Sequence, residues 1–288
     1  MVETLLLMPT RGVLFLGVLL CGVLGVAQSQ SELSTDLVRH ALILRNFYTN
    51  QKLNFDSSGA LISDGTPGFG PIDGRVYVKE VQLVANRLIL RGERPVSIFD
   101  PGTGDTTLLG LHRKVEIEVQ LPPDKPANDS ARALLDKIFL TSSEADALTC
   151  SEDEVKAFRQ QMLQSKEFVS AKKDSGAKKV TQPHQLCFPG GTRAYVAEGA
   201  IEPPKPLKTP DPGYPNDAST RGENKTVVLA LVVDLAGKPS SLVVIGPSAT
   251  VFDVVAIDAV QHWKFLPASY QGKPVAAAIN VEVNFSPR

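Results

Sequence analysis

Residues 226–234 read Thr-Val-Val-Leu-Ala-Leu-Val-Val-Asp, and the reading of this run decides the fold of the C-terminal part of the chain. An uninterrupted apolar stretch from Val227 to Val233, bounded by polar residues, is a strand. Leu235-Ala236-Gly237-Lys238 supplies the turn, and Ser241 to Ile245 is a second apolar run, so the pair forms a hairpin. Thr250 followed three residues later by Asp253 has the form of a capping box, and Phe252, Val255, Ala256, Ala259, Val260 and Trp263 share one helical face. The chain then passes Phe265, Pro267, Gly272 and Pro274 into a last strand, where Val275, Ala277, Ile279, Val281, Val283 and Phe285 alternate with small or polar residues. The pattern predicts a compact α+β domain, in the order β-β-α-β, with a three-stranded antiparallel sheet.

Working back from that domain, prolines at 203, 204, 206, 210, 212 and 215 mark residues 201–213 as a stiff, extended connector. The expected organisation is residues 1–27 as a signal peptide, 28–200 as a mixed α+β domain, 201–213 as a Pro-rich linker and 214–288 as the C-terminal domain. Within the N-terminal part, Leu33, Leu37, Ala41, Leu44 and Tyr48 predict a helix from Glu32 to Tyr48. Strands are expected around Val76 to Leu83, Leu88 to Leu90, Ser97 to Phe99 and Lys114 to Leu121, the last with strict apolar and polar alternation. They predict a small antiparallel sheet or barrel. Helices follow at Ser130 to Phe139 and Ser151 to Val169, the second opened by an N-cap with acids in its first turn. Lys172, Lys173, Lys178 and Lys179 are read as a solvated loop.

Arg11 precedes an apolar run from Gly12 to Ala27 that ends in small residues, the pattern of a cleaved signal peptide. The run is shorter than the roughly 20 residues a membrane-crossing helix needs. Export is expected, with membrane anchoring as the alternative if the segment is retained. Cys150 and Cys187 then meet an oxidising compartment, where a disulfide is the leading expectation. Two buried thiols, or a metal site with His184, are the alternatives, although one His and two distant Cys fall short of a zinc set.

A net charge of −1 over 288 residues gives no field that favours nucleic acid. His40, His112 and His184 are scattered, as are Asp56, Asp64, Asp73, Asp100 and Asp105, and no catalytic pairing is legible. Asp100 to Asp105 lacks the Gly-Lys-Ser/Thr ending of a phosphate loop and reads as a turn between strands. No enzyme activity, cofactor, metal or small-molecule substrate is expected.

One ordered set of residues is more specific. Tyr214-Pro215, the hairpin turn from Asp234 to Lys238, Trp263, Phe265, Pro267-Ala268, Gly272-Lys273-Pro274-Val275 and a terminal Phe285 together resemble the C-terminal domain of the TonB family. The resemblance implies a periplasmic domain that recruits an extended peptide of a protein partner, commonly the N-terminal segment of an outer-membrane receptor, by adding it to a sheet edge. The edge candidate is the last strand, Ala276, Ala277, Ala278, Ile279, Asn280, Val281 and Glu282, with polar Asn280, Glu282 and Asn284 on its outer face. Trp263, Phe265 and Phe285 are expected to be core residues. The expected role is a non-enzymatic, partner-binding periplasmic protein, with a homodimer as a further partner arrangement. The alternatives are a membrane-anchored energy transducer and an envelope enzyme that carries the domain as a docking module.

Overall fold

The computed structural model of the protein describes residues 31–123, 127–170, 183–215, 222–246 and 250–287. The apolar run before Ala27 and the basic run from Lys172 to Lys179 lie outside these residues. Among the described residues no helix is long and apolar enough to cross a membrane.

The N-terminal region opens with helix α1 (31–37), followed by strands β1 (Ala41–Ile43), β2 (Lys52–Phe55), β3 (Arg75–Val84), β4 (Arg87–Phe99) and β5 (Thr106–Gln120). β3, β4 and β5 pair antiparallel, and β2 adds parallel to β5. The alternation read in β5 is realised: Val115, Ile117 and Val119 are fully buried. On the opposite face Glu116 and Glu118 meet Arg91 at 2.9 Å and Arg87 at 3.1 Å across the strand. Helix α2 (Ala127–Ile138) covers the apolar face with Ala131, Leu134 and Ile138.

The expected helix to Tyr48 stops at residue 37. Arg39 adopts a φ of +69°, and Ala41–Ile43 pairs with Arg75–Tyr77 instead. Sheet pairing outweighs a weak helical periodicity here, while Leu33 and Leu44, from the predicted stripe, still enter one core. The two apolar segments at 88–90 and 97–99 are one long strand, β4, with a register shift between Glu93 and Pro95.

Two more helices follow, α3 (Ser142–Leu148) and α4 (Glu152–Ser170), and then strands β6 (Gln185–Cys187), β7 (Arg193–Val196) and β8 (Lys205–Lys208). The capping box before α4 forms: the Glu154 N–H donates to Ser151 Oγ at 3.3 Å, and the Ser151 N–H donates to the Glu154 carboxylate at 2.8 Å. Cys150 and Cys187 form a disulfide that ties the start of α4 to β6.

The C-terminal region contains β9 (Lys225–Val233), β10 (Pro239–Ile245), α5 (Thr250–Val260), β11 (Lys264–Leu266), β12 (Ala268–Tyr270), β13 (Lys273–Val275) and β14 (Ala277–Phe285). β10, β9 and β14 are neighbours and antiparallel. Three short strands intervene between α5 and β14 that the expected order did not contain. β12 and β13 form their own hairpin, and β11 pairs with β8 of the Pro-rich segment. That segment is extended, but it lies along the domain, held by β11 and by a bridge from Glu202 to Ser269.

The uninterrupted apolar run of β9 has a simple cause, since both of its faces are covered. Leu229 and Leu231 face α5, packing with Phe252, Ile257 and Val260. Ala230 and Val232 face the other side, where α4 contributes Phe158 and Met162. Each such apolar side chain, fully buried, contributes about 1.5–3 kcal/mol relative to exposure.

The two regions share one sheet. β3 flanks β4 only from Arg87 to Glu93. Beyond Pro95 that flank is taken by β10, whose Val243–Ile245 runs parallel to Ser97–Phe99. The result is a mixed sheet of ten strands, in the path β1-β3-β4-β10-β9-β14-β7-β6 with β5 and β2 branching from β4.

Candidate functional site

β14 is the strand on which partner capture was expected, and its two sides differ. Along its whole length, Ala277 to Phe285, it pairs with β9. On the opposite side β7 pairs with it in parallel, but only at Ala277 and Ala278. The edge read from Ala276 to Glu282 is therefore closed at its start, where Ala276, Ala277 and Ala278 are buried. From Ile279 to Phe285 no strand among the described residues lies on that side.

The orientation of the backbone follows from one hydrogen bond. The Tyr195 N–H donates to the Ala276 carbonyl at 3.2 Å, so residue 276 points towards β7. Strand residues alternate, and the register with β9 is unbroken. Asn280, Glu282 and Asn284 thus aim their N–H and C=O groups at the open edge, while Ile279, Val281, Val283 and Phe285 aim theirs at β9. The side chains alternate in the same way. Val283 and Phe285 are buried against α5, whereas Ile279 and Val281 are half-buried, which leaves apolar surface at the rim.

The other resemblance residues are structural. Phe265 and Phe285 are buried, Trp263 is half-buried, and the Trp263 indole N–H donates to the Pro210 carbonyl at 3.1 Å. Tyr214 stacks edge-on against Phe252, its hydroxyl donating to the Glu223 carbonyl at 2.9 Å, and Pro215 is buried. Pro267 is half-buried, while Gly272 and Pro274 sit exposed at the β12–β13 turn, Gly272 with a φ of +74°. In the β9–β10 turn, Gly237 has a φ of +77°, and a Cβ there would lie 1.9 Å from the Phe265 carbonyl oxygen. The Phe265 N–H donates to the Gly237 carbonyl, so hairpin turn and Trp-x-Phe segment touch through backbone alone.

Where the N-terminal region meets the β9–β10 hairpin lies a polar seam that sequence reasoning missed. Asp73 Oδ1 accepts the Ser241 N–H at 2.8 Å. Its Oδ2 accepts the N–H groups of Phe69 and Gly70 at 2.9 and 3.1 Å and the Ser241 hydroxyl at 3.3 Å. Ser241 Oγ also lies 3.0 Å from Thr192 Oγ1. Ser241 has a φ of +49°, at the register shift of β10. Burial pushes the Asp73 carboxyl upward, against the pull of these donors.

Arg94 crosses the same seam. It is 4% exposed and donates at 2.8 Å to the Asp73 and Asn50 carbonyls, while its Nε has no partner. Burial, and secondarily the nearby Arg113, lower its pKa to about 10. Burial lowers that of Arg113 as well. These residues line a cavity of about 220 Å³. A sequence signal existed: Arg94-Pro95 inside a strand and Ser240-Ser241 opening an apolar one are both out of pattern.

Residues 210–287 match the family described as Gram-negative bacterial TonB protein C-terminal. Over 75 residues, 26% of this chain, the sequence is 33% identical to Protein TonB of Vibrio cholerae serotype O1, and the match spans 31% of that protein's length. The solution NMR structure of the Pseudomonas aeruginosa TonB CTD matches at 27% identity, covering 31% of this chain and 88% of that one, with a TM-score of 0.25.

Proposed function

We propose that this chain, whose residues 210–287 are a TonB-family C-terminal domain, is a non-enzymatic periplasmic protein that captures an extended segment of a partner by adding it to β14, in TonB-type transport across the outer membrane. The observation that carries the reading is the open edge from Ile279 to Phe285. An unpaired strand edge is a template for another chain, and natural proteins cover such edges unless they are used. The expected partner is the N-terminal segment of an outer-membrane receptor.

Magnitudes define what the edge alone can do. Three outward-facing residues offer six backbone groups, and at about 1 kcal/mol net per hydrogen bond they supply about 6 kcal/mol. Ordering a disordered segment costs about 2–5 kcal/mol of this. Backbone pairing alone is then weaker than about millimolar. The partner must add side-chain contacts, and the half-buried Ile279 and Val281 offer an apolar rim for them. A segment with alternating apolar residues fits.

Photo-crosslinking side chains placed in the full-length protein at Asn280, Glu282 and Asn284 test this in cells. Capture of an outer-membrane receptor through its N-terminal segment is the expected result. Absence of any captured protein at all three positions, with the same side chain at exposed Leu235 as control, overturns the reading.

A further inference from the structure

The cavity in the seam has an unbalanced charge. Two guanidinium groups, Arg94 and Arg113, border it, together with Lys238, against the carboxylates of Asp73 and Asp234. Asp234 belongs to the hairpin turn, where its Oδ1 accepts the N–H groups of Ala236 and Lys238. Asp73 directs both oxygens to backbone N–H groups and to Ser241, and forms no ion pair with either arginine. Arg94 spends its Nη atoms on two neutral carbonyls. Arg113, partly buried, makes no hydrogen bond or ion pair with any described residue, and Asp258 and Asp73 act on it only at a distance.

Buried charges in folded proteins are ordinarily neutralised by a partner, because an uncompensated one costs several kcal/mol. Here three cationic side chains line the cavity with two carboxylates, and neither arginine has an ion pair within contact distance among the described residues. The guanidinium fork is the group that recognises planar anions with two parallel hydrogen bonds. The lining also carries the apolar side chains of Ile72, Val96, Leu242 and Ile257. The space of about 220 Å³ equals roughly seven waters, more than a bare inorganic ion occupies and less than the roughly 300 Å³ of a drug-sized pocket.

From this arrangement we infer that the cavity between the N-terminal region and the β9–β10 hairpin binds a small organic carboxylate. Its carboxylate sits on Arg113, beside the charge of Arg94, and its apolar body lies against Ile72, Val96, Leu242 and Ile257. Because both regions contribute walls, an occupant bridges them and tightens the seam. The inference is independent of the capture of a partner at β14, since none of the six named residues belongs to that strand.

The test uses the full-length protein and 4-fluorobenzoate, followed by fluorine NMR and calorimetry. Saturable binding below about 10 mM is expected. The uncharged 4-fluorobenzyl alcohol should bind at least tenfold more weakly, the scale of a lost charge-assisted pair. Arg113→Ala should lose tenfold or more in affinity, and Arg113→Lys should recover part of it. Arg94 is left intact because its carbonyl contacts support the fold. No saturable binding, equal binding of the alcohol, or tighter binding of inorganic phosphate overturns the inference. So does an Arg113→Ala protein that binds as the parent does. If Arg113→Ala does not fold, the comparison of acid with alcohol on the parent protein still decides.

Discussion

The carboxylate of Asp73 accepts the backbone N–H of Ser241 at 2.8 Å, across 168 positions of sequence, and so fastens the N-terminal region to the bulged start of β10. Three backbone donors converge on this one side chain, those of Phe69, Gly70 and Ser241. Asp73→Ala leaves them buried without an acceptor, and a loss of about 3 kcal/mol or more in urea unfolding is expected. Asp73→Asn keeps one carbonyl oxygen and should cost less.

The same residue sets a pH dependence of definite sign. Burial raises the Asp73 carboxyl above the unfolded value, so the folded state holds its proton more tightly. Its contribution to stability is fully present below the ordinary carboxylate range and is lost as pH rises through the raised value. Urea titrations across the acid range should show this component vanish in Asp73→Asn.

Two exposed ion pairs act in the opposite direction. Glu144 lies at about 2, held down first by Arg45, and Glu154 at about 2, held down first by Arg193. Each contributes stability above the unfolded carboxylate value that is lost as pH falls from there towards about 2. Both pairs are more than a third exposed on at least one side chain, so the effect is small and screened by salt. Glu144→Gln and Glu154→Gln should flatten the acid limb in dilute buffer and change little at about 1 M salt.

The disulfide between Cys150 and Cys187 closes a loop with a sequence separation of 37. Chain entropy assigns such a loop about 4 kcal/mol. Cys150→Ser with Cys187→Ser should lower stability by that order. Hydrogen exchange should show α4 losing protection first, since the bond anchors the helix that covers the second face of β9.

Proline substitution separates the two sides of β14. Glu282→Pro removes an N–H that points to the open edge, where proline is tolerated. It should cost about 1 kcal/mol or less and reduce partner capture at least tenfold. Val281→Pro removes a donor of the β9 ladder and should cost about 3 kcal/mol or more. Equal destabilisation by both would contradict the assigned alternation.

Much of the C-terminal architecture was legible because its signals are local. The hairpin turn, α5 and the alternating last strand each follow from residues a few positions apart. What stayed hidden depends on distant pairing. β9 reads as apolar throughout, which states that both faces are covered without naming α4 as the second cover. The stripe from Leu33 to Tyr48 suits a helix, and only the presence of β3 turns Ala41–Ile43 into a strand. Likewise the edge of β14 is visible in the sequence, but its closure at Ala277 and Ala278 depends on β7, more than 80 residues earlier. Asp73 is one of several loop acids by composition, and its burial is a product of the seam alone.

The parallel pairing of β4 with β10 covers Val243 to Ile245, on the side of the hairpin away from β14. A filament of stacked sheets needs two free sides on every unit, one to give and one to receive. Here the β10 side is filled from Val243 to Ile245 by the chain's own β4, and the two end strands of the path, β1 and β6, have three residues each. Under the proposed capture, a segment laid along β14 pairs with the open edge from Ile279 to Phe285. On that proposal each molecule offers this edge once, and one guest segment per molecule is expected.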